Sequence, residues 1–142
     1  LVTASGNAQL SNCKADSNGG IGFHVSGAGQ VKLFGIEALS NTGDGIRMNQ
    51  DDCLINGAAL ISNGTTGTPK SGLDITGSCD RLVATGLQIR DDEDDGRMDY
   101  GVQIASGATY ILLDGMVSNY LTGALDDSSG GATVTSRLID AG

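Results

Sequence analysis

Large aromatic side chains are scarce in this 142-residue sequence, which has no Trp and is only 4% aromatic. A two-sheet sandwich needs large side chains to span the gap between its sheets, so this composition disfavours that architecture. Val, Ile, Leu and Ala instead suit the narrow interior of a stacked coil. The 23 glycines are also compatible with a disordered chain, but regular rows of apolar residues argue against disorder.

Basic residues are also scarce: 8 Lys and Arg stand against 17 Asp and Glu, for a net charge of −9. Phosphate binding requires clusters of Lys and Arg, so we expect no nucleic-acid partner and no binding to anionic membranes. No apolar run is long enough to span a bilayer, which predicts no membrane insertion. Cys13, Cys53 and Cys79 form no CxxC zinc pattern and no disulfide framework, so we predict three free thiols.

Two short patterns recur along the chain with little identity between copies. The first, apolar-x-apolar-x-Gly, ends at Gly6, Gly35, Gly57, Gly86 and Gly115, with spacings of 22 or 29 residues. The second, Gly-apolar-x-apolar, begins at Gly20, Gly45, Gly72 and Gly101. Repeats of about 20–30 residues indicate a solenoid, and the alternating apolar residues predict β-strands rather than helices.

Alignment of the copies predicts four inward rows of side chains. The first pattern contributes Val2/Val31/Cys53/Leu82/Ile111 and Ala4/Leu33/Ile55/Ala84/Leu113. The second contributes Ile21/Ile46/Leu73/Val102 and Phe23/Met48/Ile75/Ile104. We also expect a stack of Asn12, Asn41 and Asn63 at one turn, because Asn tolerates left-handed backbone and can hydrogen-bond along the solenoid axis.

These rows resemble the right-handed parallel β-helix (pectin-lyase-like) superfamily, which includes pectin-degrading enzymes, polysaccharide epimerases and phage tailspike depolymerases. The resemblance covers residues 2–136. It implies an all-β fold, a single-stranded right-handed parallel β-helix (solenoid) of about five to six coils. We expect a single β-helix domain, 1–142, that is a fragment of a longer chain because it begins with Leu1 rather than Met.

The resemblance is strongest to a phage tailspike or a related polysaccharide depolymerase. It implies a segment of an extracellular or virion-surface protein that binds or depolymerises a polysaccharide. A non-catalytic structural or receptor-binding stalk is one alternative, and a secreted polysaccharide lyase or epimerase is another. Asp51 and Asp52 are similar to the paired aspartates of polygalacturonases, but that family's Gly-His-Gly and Arg-Ile-Lys motifs are absent, so we interpret both as turn residues.

The densest charge cluster is the acidic turn of the fourth coil, which begins at Asp91. Loop insertions on a rigid solenoid are common places for binding and catalysis. A solvated loop is the first interpretation. The second is a calcium site, although its twelfth position is Val102 rather than Glu, and the third is a carboxylate pair for glycosidic cleavage. The metal candidates are Asp91, Glu93, Asp95 and Asp99, and the catalytic candidates are Asp92, Asp94 and Asp95.

The strands of the second pattern place polar side chains outward. We predict one column of Arg47, Asp74 and Gln103, and a neighbouring column of His24, Asn49 and Thr76. Arg47 and Asp74, on neighbouring coils, should form a salt bridge, and planar polar groups of this kind bind sugars. The predicted ligand-binding residues are therefore Arg47, Asp74, His24, Asn49 and Gln103, with an ordinary solvent-facing surface as the alternative.

The strands of the first pattern, which form the first sheet, place aliphatic side chains outward. The predicted column contains Lys32, Leu54, Val83 and Leu112, with Phe34 beside it. Stacked aliphatic residues need cover from water. We therefore predict a homo-oligomer through this sheet, and the resemblance to tailspikes implies a trimer. A neighbouring domain over the same residues is the alternative.

Overall fold

The computed structural model describes residues 2–4, 7–27, 29–65, 68–92, 97–130 and 134–141. Its regular structure consists of strands: β1 (Val2–Ala4), β2 (Ala8–Ser11), β3 (Lys14–Asp16), β4 (Phe23–Gly27), β5 (Val31–Leu39), β6 (Ile46–Asn49), β7 (Leu54–Ile61), β8 (Gly64–Thr65), β9 (Thr68–Pro69), β10 (Leu73–Ile75), β11 (Val83–Arg90), β12 (Tyr100–Ile104), β13 (Ile111–Ser118), β14 (Gly123–Asp127) and β15 (Val134–Asp140). These residues include no helix, as predicted, and therefore none long and apolar enough to cross a membrane.

The strands alternate between two parallel sheets. Sheet A has the order β1-β4-β6-β10-β12-β14, and sheet B has the order β2-β5-β7-β11-β13-β15, with β3 also pairing with β5. Each winding of the chain therefore adds one strand to each sheet. The six levels of strands agree with the predicted five to six coils. A short antiparallel pair, β8 with β9, follows β7.

Buried apolar side chains fill the space between the sheets. In sheet A, Ile46, Leu73 and Val102 are neighbours on successive strands, and all three are buried. In sheet B, Leu33 and Ile55 form the start of an equivalent buried row. Burial of each such side chain contributes about 1.5–3 kcal/mol relative to exposure. Both inward rows were predicted over these coils.

The predicted alignment of the first coil in sheet B is wrong. Val31 pairs with Ala8, whereas Val2 pairs with Val25 in sheet A. The predicted partners Val2/Val31 and Ala4/Leu33 therefore lie in different sheets, and Leu33 pairs with Leu10.

This error arises because equivalent positions with left-handed backbone carry different residue types in different coils. Gly35, Gly57 and Gly86 have positive φ angles, and Asn12, whose φ is 54°, occupies the equivalent place in the first coil. The Asn12 N–H donates to the carbonyl of Phe34, which places Asn12 beside Gly35. Asn is among the few residue types that tolerate this backbone conformation. A search for glycine therefore missed the true start of the repeat.

A second error, of two residues, affects β4. Phe23 pairs with Ile46 and Val25 pairs with Met48, whereas the alignment placed Ile21 and Phe23 at those positions. Two glycines, Gly20 and Gly22, precede β4, and either could begin the Gly-apolar-x-apolar pattern. The structural equivalent of Gly45 is Gly22 rather than Gly20. A Cβ atom on Gly22 would lie 2.6 Å from the carbonyl oxygen of Gly45, so this position has no room for a side chain.

A ladder of asparagines hydrogen-bonds along the axis after sheet B. Asn18 Nδ2 donates to Asn41 Oδ1 at 2.8 Å, and Asn41 Nδ2 donates to Asn63 Oδ1 at 2.9 Å. Both Asn41 and Asn63 are buried, so the ladder satisfies amides that water does not reach. The prediction is confirmed for Asn41 and Asn63, but the first member is Asn18 rather than Asn12.

Candidate ligand-binding face

The outward side of sheet A carries one polar side chain on each of five successive strands. Strand pairing places them in a single line, which we call the polar column: His24, Arg47, Asp74, Gln103 and Asp126. On the first four of these strands the residues on either side are buried and apolar. Because side chains alternate between the two faces of a strand, the column points away from the interior.

Arg47 is the most connected member of the column because it joins two carboxylates. Its Nε donates to Asp74 Oδ2 at 2.6 Å, and its Nη2 donates to Asp44 Oδ2 at 2.6 Å. The side chain of Asp44 is 5% exposed, against 14% for Asp74 and 34% for Arg47. The salt bridge between Arg47 and Asp74 was predicted. The contribution of Asp44 was not.

Asp44 is held from two directions. Its Oδ1 accepts the N–H of Ser71 at 3.0 Å, while its Oδ2 accepts from Arg47. The guanidinium and the amide offset the cost of burying this carboxylate. Asp44 therefore orients Arg47 on the face and links the turn before β6 to the turn before β10. It precedes β6 in a turn, where the strand pattern carries no signal for it.

Two carboxylates share the one guanidinium, and this affects the ionisation of Asp74 and Arg47. Burial raises the pKa of the Asp74 carboxyl, and the nearby charge of Asp44 raises it further, while Arg47 and Lys70 oppose both effects. Burial lowers the pKa of Arg47, but hydrogen bonds and charge from Asp74 and Asp44 outweigh it and raise that pKa above its ordinary value. Arg47 is thus held fully charged.

The column continues through Gln103 and Asp126. Gln103 Nε2 donates to Asp126 Oδ2 at 3.2 Å, and Gln103 Oε1 accepts from the Ser71 hydroxyl at 3.4 Å. Ser71 thus hydrogen-bonds both to Asp44, the partner of Arg47, and to Gln103. Asp126 was not predicted, because its copy of the repeat has lost most of its apolar pattern. An alignment of Gly123 with Gly101 would place Leu125 opposite Gln103, so only the strand pairing identifies Asp126.

The predicted second column requires a correction. His24 lies in register with Arg47, not with Asn49, because of the two-residue shift in β4. Asn49 lies opposite Ser26, on the same face but two residues further along its strand. Its Oδ1 accepts from the hydroxyl of Thr76 at 2.9 Å. The structure therefore brings four of the five predicted ligand-binding residues into one line and leaves Asn49 beside it.

The acidic turn is described only at its two ends. Glu93, Asp94 and Asp95 lie outside the described residues, so their proposed roles in metal binding and catalysis stay predictions. Asp91 is buried, and its Oδ2 accepts the N–H groups of Arg97 and Met98 at 2.8 and 3.0 Å. These bonds close the turn from within the protein.

The remaining acidic candidates have partners elsewhere. Asp92 is exposed and pairs with Arg90 at 2.7 Å, while Asp99 accepts from the hydroxyl of Thr122. Within the described ranges, no three His, Cys, Asp or Glu side chains are grouped so that they could hold a metal ion. The calcium interpretation depends on Glu93 and Asp95 and therefore stays a prediction.

A cavity of about 570 Å³ is lined by the corners between β4 and β5 and between β6 and β7, and by no residue of the polar column. Asp51 and Asp52 line it, but both are already bonded within the protein. Asp51 Oδ1 accepts the N–H of Asp80 at 2.8 Å, and both oxygens of Asp52 pair with Arg81. These contacts agree with the interpretation of Asp51 and Asp52 as turn residues. The polar column is the stronger candidate for a ligand.

None of the three cysteines belongs to the polar column, and Cys53 Sγ donates to the carbonyl of Asp51 at 3.3 Å. Cys13, Cys53 and Cys79 are free thiols, as predicted. Cys53 and Cys79 are buried, and burial raises the pKa of the Cys79 thiol to about 12. A thiol with that pKa carries almost no thiolate, the nucleophilic form, at neutral pH.

Comparison with known families supports the coil architecture. Residues 1–116 match a family model described as the right handed beta helix region. The chain therefore belongs to this family, and its fold is a right-handed parallel β-helix. Comparisons with curated proteins and with solved structures found no significant match. The family defines the scaffold, and activity has to be inferred from the site.

Proposed function

We propose that the chain is a segment of an extracellular carbohydrate-active protein and that the polar column binds its polysaccharide. The alignment of five polar side chains, one per coil, carries this proposal. Neighbouring strands are about 4.8 Å apart, so the four intervals span about 19 Å. This length suits an extended polymer better than a single small molecule.

The chemistry of the column also suits sugars. Its imidazole, guanidinium, carboxylate and amide groups offer hydrogen-bond donors and acceptors side by side, and sugar hydroxyls need both. Arg47, Asp74 and Gln103 are fixed by contacts within the protein, so little side-chain entropy is lost on binding. A flat, preorganised face of this kind can bind a glycan along its length.

Within this class we favour a module like those of phage tailspikes, on a virion surface, that binds and depolymerises a polysaccharide. The second candidate is a non-catalytic structural or receptor-binding stalk. One observation favours it: Asp44 and Asp74, the carboxylates nearest the centre of the face, share Arg47 and are not poised as a free acid and base. A secreted polysaccharide lyase or epimerase is the third candidate. Any catalytic or calcium-binding role falls to the acidic turn.

Self-association through sheet B, which is the first sheet of the sequence analysis, is part of the proposal. Leu54, Val83 and Leu112 are neighbours on β7, β11 and β13, and we call them the aliphatic stripe. Val83 is 37% exposed, and the other two are partly buried. Each would gain up to about 1.5–3 kcal/mol on full burial. A closed trimer, whose subunit number rests on the tailspike resemblance, would cover the stripe and leave the polar column free.

Binding to a panel of bacterial exopolysaccharides tests the face. We expect Gln103→Ala to weaken retention in affinity electrophoresis by about tenfold, because a site that hydrogen-bonds a sugar loses a specific contact. Gln88→Ala is the matched control, since Gln88 is an exposed outward residue of sheet B. Equal effects of the two changes would exclude the polar column as the site. Release of reducing ends without absorbance from unsaturated products indicates a hydrolase, and release with that absorbance indicates a lyase. Neither signal is expected from a protein without activity.

Light scattering tests the trimer. Leu54→Ser/Val83→Ser should reduce an assembly to monomers, since it removes the apolar area that drives contact. Asn56→Ser/Thr85→Ser, in the neighbouring outward column of the same two strands, should leave the assembly intact. A wild-type monomer, or an assembly that tolerates both double changes, would contradict this part of the proposal.

A further inference from the structure

The charge of Arg47 is already neutralised by the protein itself. Both of its salt bridges are 2.6 Å long, and their carboxylates are largely buried. A guanidinium in this state has less attraction for the acidic group of a ligand than a free one. The most prominent cation of the polar column is therefore poorly placed to bind an anionic sugar.

The surroundings of Arg47 add to this effect. The face carries three carboxylates, on Asp44, Asp74 and Asp126. Its cations are Arg47, which pairs with Asp44 and Asp74, and Lys70, whose charge acts on Asp74. With histidine counted as neutral, the face has a net negative charge, and the whole chain carries −9. An acidic glycan would approach against this potential, whereas an uncharged glycan would not.

The hydrogen-bonding groups left over at the centre match hydroxyl groups. Among the described residues, neither Nη1 of Arg47 nor Oδ1 of Asp74 has a hydrogen-bond partner. The first is a donor and the second is an acceptor, on side chains that are bonded to each other. Different hydroxyls of one sugar chain can accept from the first and donate to the second. A ligand carboxylate could only accept, and it would face the charge of Asp74.

We propose that the polar column selects glycans without acidic groups and that Asp74 is the residue that excludes acidic ones. The inference rests on the proposed function of this face. It adds the class of polysaccharide: polymers of neutral sugars, as opposed to those that carry uronate, sulfate or phosphate. Arg47 then acts as a donor to hydroxyl groups, held in place by Asp44.

The test uses pairs of polymers that differ only in charge. Acidic bacterial exopolysaccharides, and polygalacturonate as a reference, are compared with their carboxyl-reduced forms in affinity electrophoresis. We expect the wild-type protein to bind at least one reduced form about tenfold more tightly than its acidic parent, since like charges at close range oppose binding. High salt should reduce this difference in affinity because it screens the repulsion between the acidic polymer and the protein.

Asp74→Asn should reduce the difference in affinity between the carboxyl-reduced and the acidic polymer by about tenfold, because it removes one negative charge next to Arg47. Asp114→Asn is the matched control: Asp114 also pairs with an arginine, Arg137, but lies on sheet B. An equal reduction in both variants would overturn the role of Asp74. If Asp74→Asn does not fold, the salt dependence of the wild-type difference in affinity still tests the charge argument.

Two outcomes separate this inference from the proposed function. Wild-type protein that binds the acidic forms as tightly as the reduced ones, or more tightly, overturns the selectivity and leaves glycan binding intact. Wild-type protein that retains neither form of any polymer in the panel overturns glycan binding, and the selectivity with it.

Discussion

Asn41 is the residue whose removal should affect the stability of the coil most clearly. Its side chain makes four hydrogen bonds while fully buried. Oδ1 accepts from the backbone N–H and the side-chain amide of Asn18, and Nδ2 donates to Asn63 Oδ1 and to the carbonyl of Ala15. Asn41→Ala removes all four bonds and leaves the partly buried Ala15 carbonyl without this donor, while the backbone N–H of residue 41 still donates to Asn63 Oδ1 at 3.3 Å.

The expected cost follows from these contacts. A typical hydrogen bond contributes about 1 kcal/mol net, and a buried group left without a partner costs about 1–3 kcal/mol. The partners on Asn18 are at the surface and can bind water, whereas Ala15 and Asn63 are more enclosed. We therefore expect Asn41→Ala to destabilise the protein by about 3–4 kcal/mol. A change of that size should lower Tm by roughly 6–16 °C for a chain of this length.

Asn18→Ala is the matched control, because Asn18 belongs to the same ladder but is exposed. Its loss should cost about 1 kcal/mol, since water replaces the amide. Thermal unfolding followed by circular dichroism measures both variants against the wild type. Equal costs for the two changes would show that burial does not amplify the ladder's hydrogen bonds, and the reasoning would fail.

Four further predictions concern packing, ionisation, thiols and calcium. Gly45→Ala should lower Tm strongly, because its Cβ would lie 2.6 Å from the carbonyl oxygen of Gly72, whereas Gly19→Ala meets nothing within 4 Å and should be neutral. The Asp74 carboxyl has a raised pKa in the folded protein, so its protonation stabilises the fold in acid, and this contribution is lost as the pH rises through the raised pKa. In urea unfolding at several pH values, the stability of the wild type relative to Asp74→Asn should therefore fall as the pH rises above 3.8. A disulfide reagent at neutral pH should modify Cys13, which is partly exposed, and reach buried Cys79 only after unfolding. The calcium interpretation of the acidic turn predicts that added Ca²⁺ raises Tm and that a chelator reverses the rise.

Strand positions were predictable from the sequence because burial repeats once per coil. Ile46, Leu73 and Val102 share a row since each must be apolar to fill the same part of the interior. The salt bridge between Arg47 and Asp74 followed from the same reasoning, since equivalent residues on neighbouring coils are adjacent. Wherever the repeat was regular, outward residues were placed as reliably as inward ones.

Turn positions were predictable only in part: the stack of Asn41 and Asn63 was predicted, but elsewhere several residue types satisfy the same backbone requirement. Asn12 replaces a left-handed glycine, and this substitution moved the predicted start of the first coil. Asp44 and Ser71 precede their strands, so the alternation of apolar residues says nothing about where they point. The contacts that fix Arg47 therefore became visible only in the structure.

The coil architecture also explains how such a face can be specific and still adaptable. Each coil contributes one side chain to the polar column, and its contacts are mainly to the coils directly before and after it. A substitution at Gln103 should therefore alter one position along a bound polymer, whereas a substitution at Asp44 should disturb the centre through Arg47. The buried rows that hold the backbone are not involved in either change. Recognition of different glycans can thus arise on one unchanged scaffold, through the outward residues of single coils.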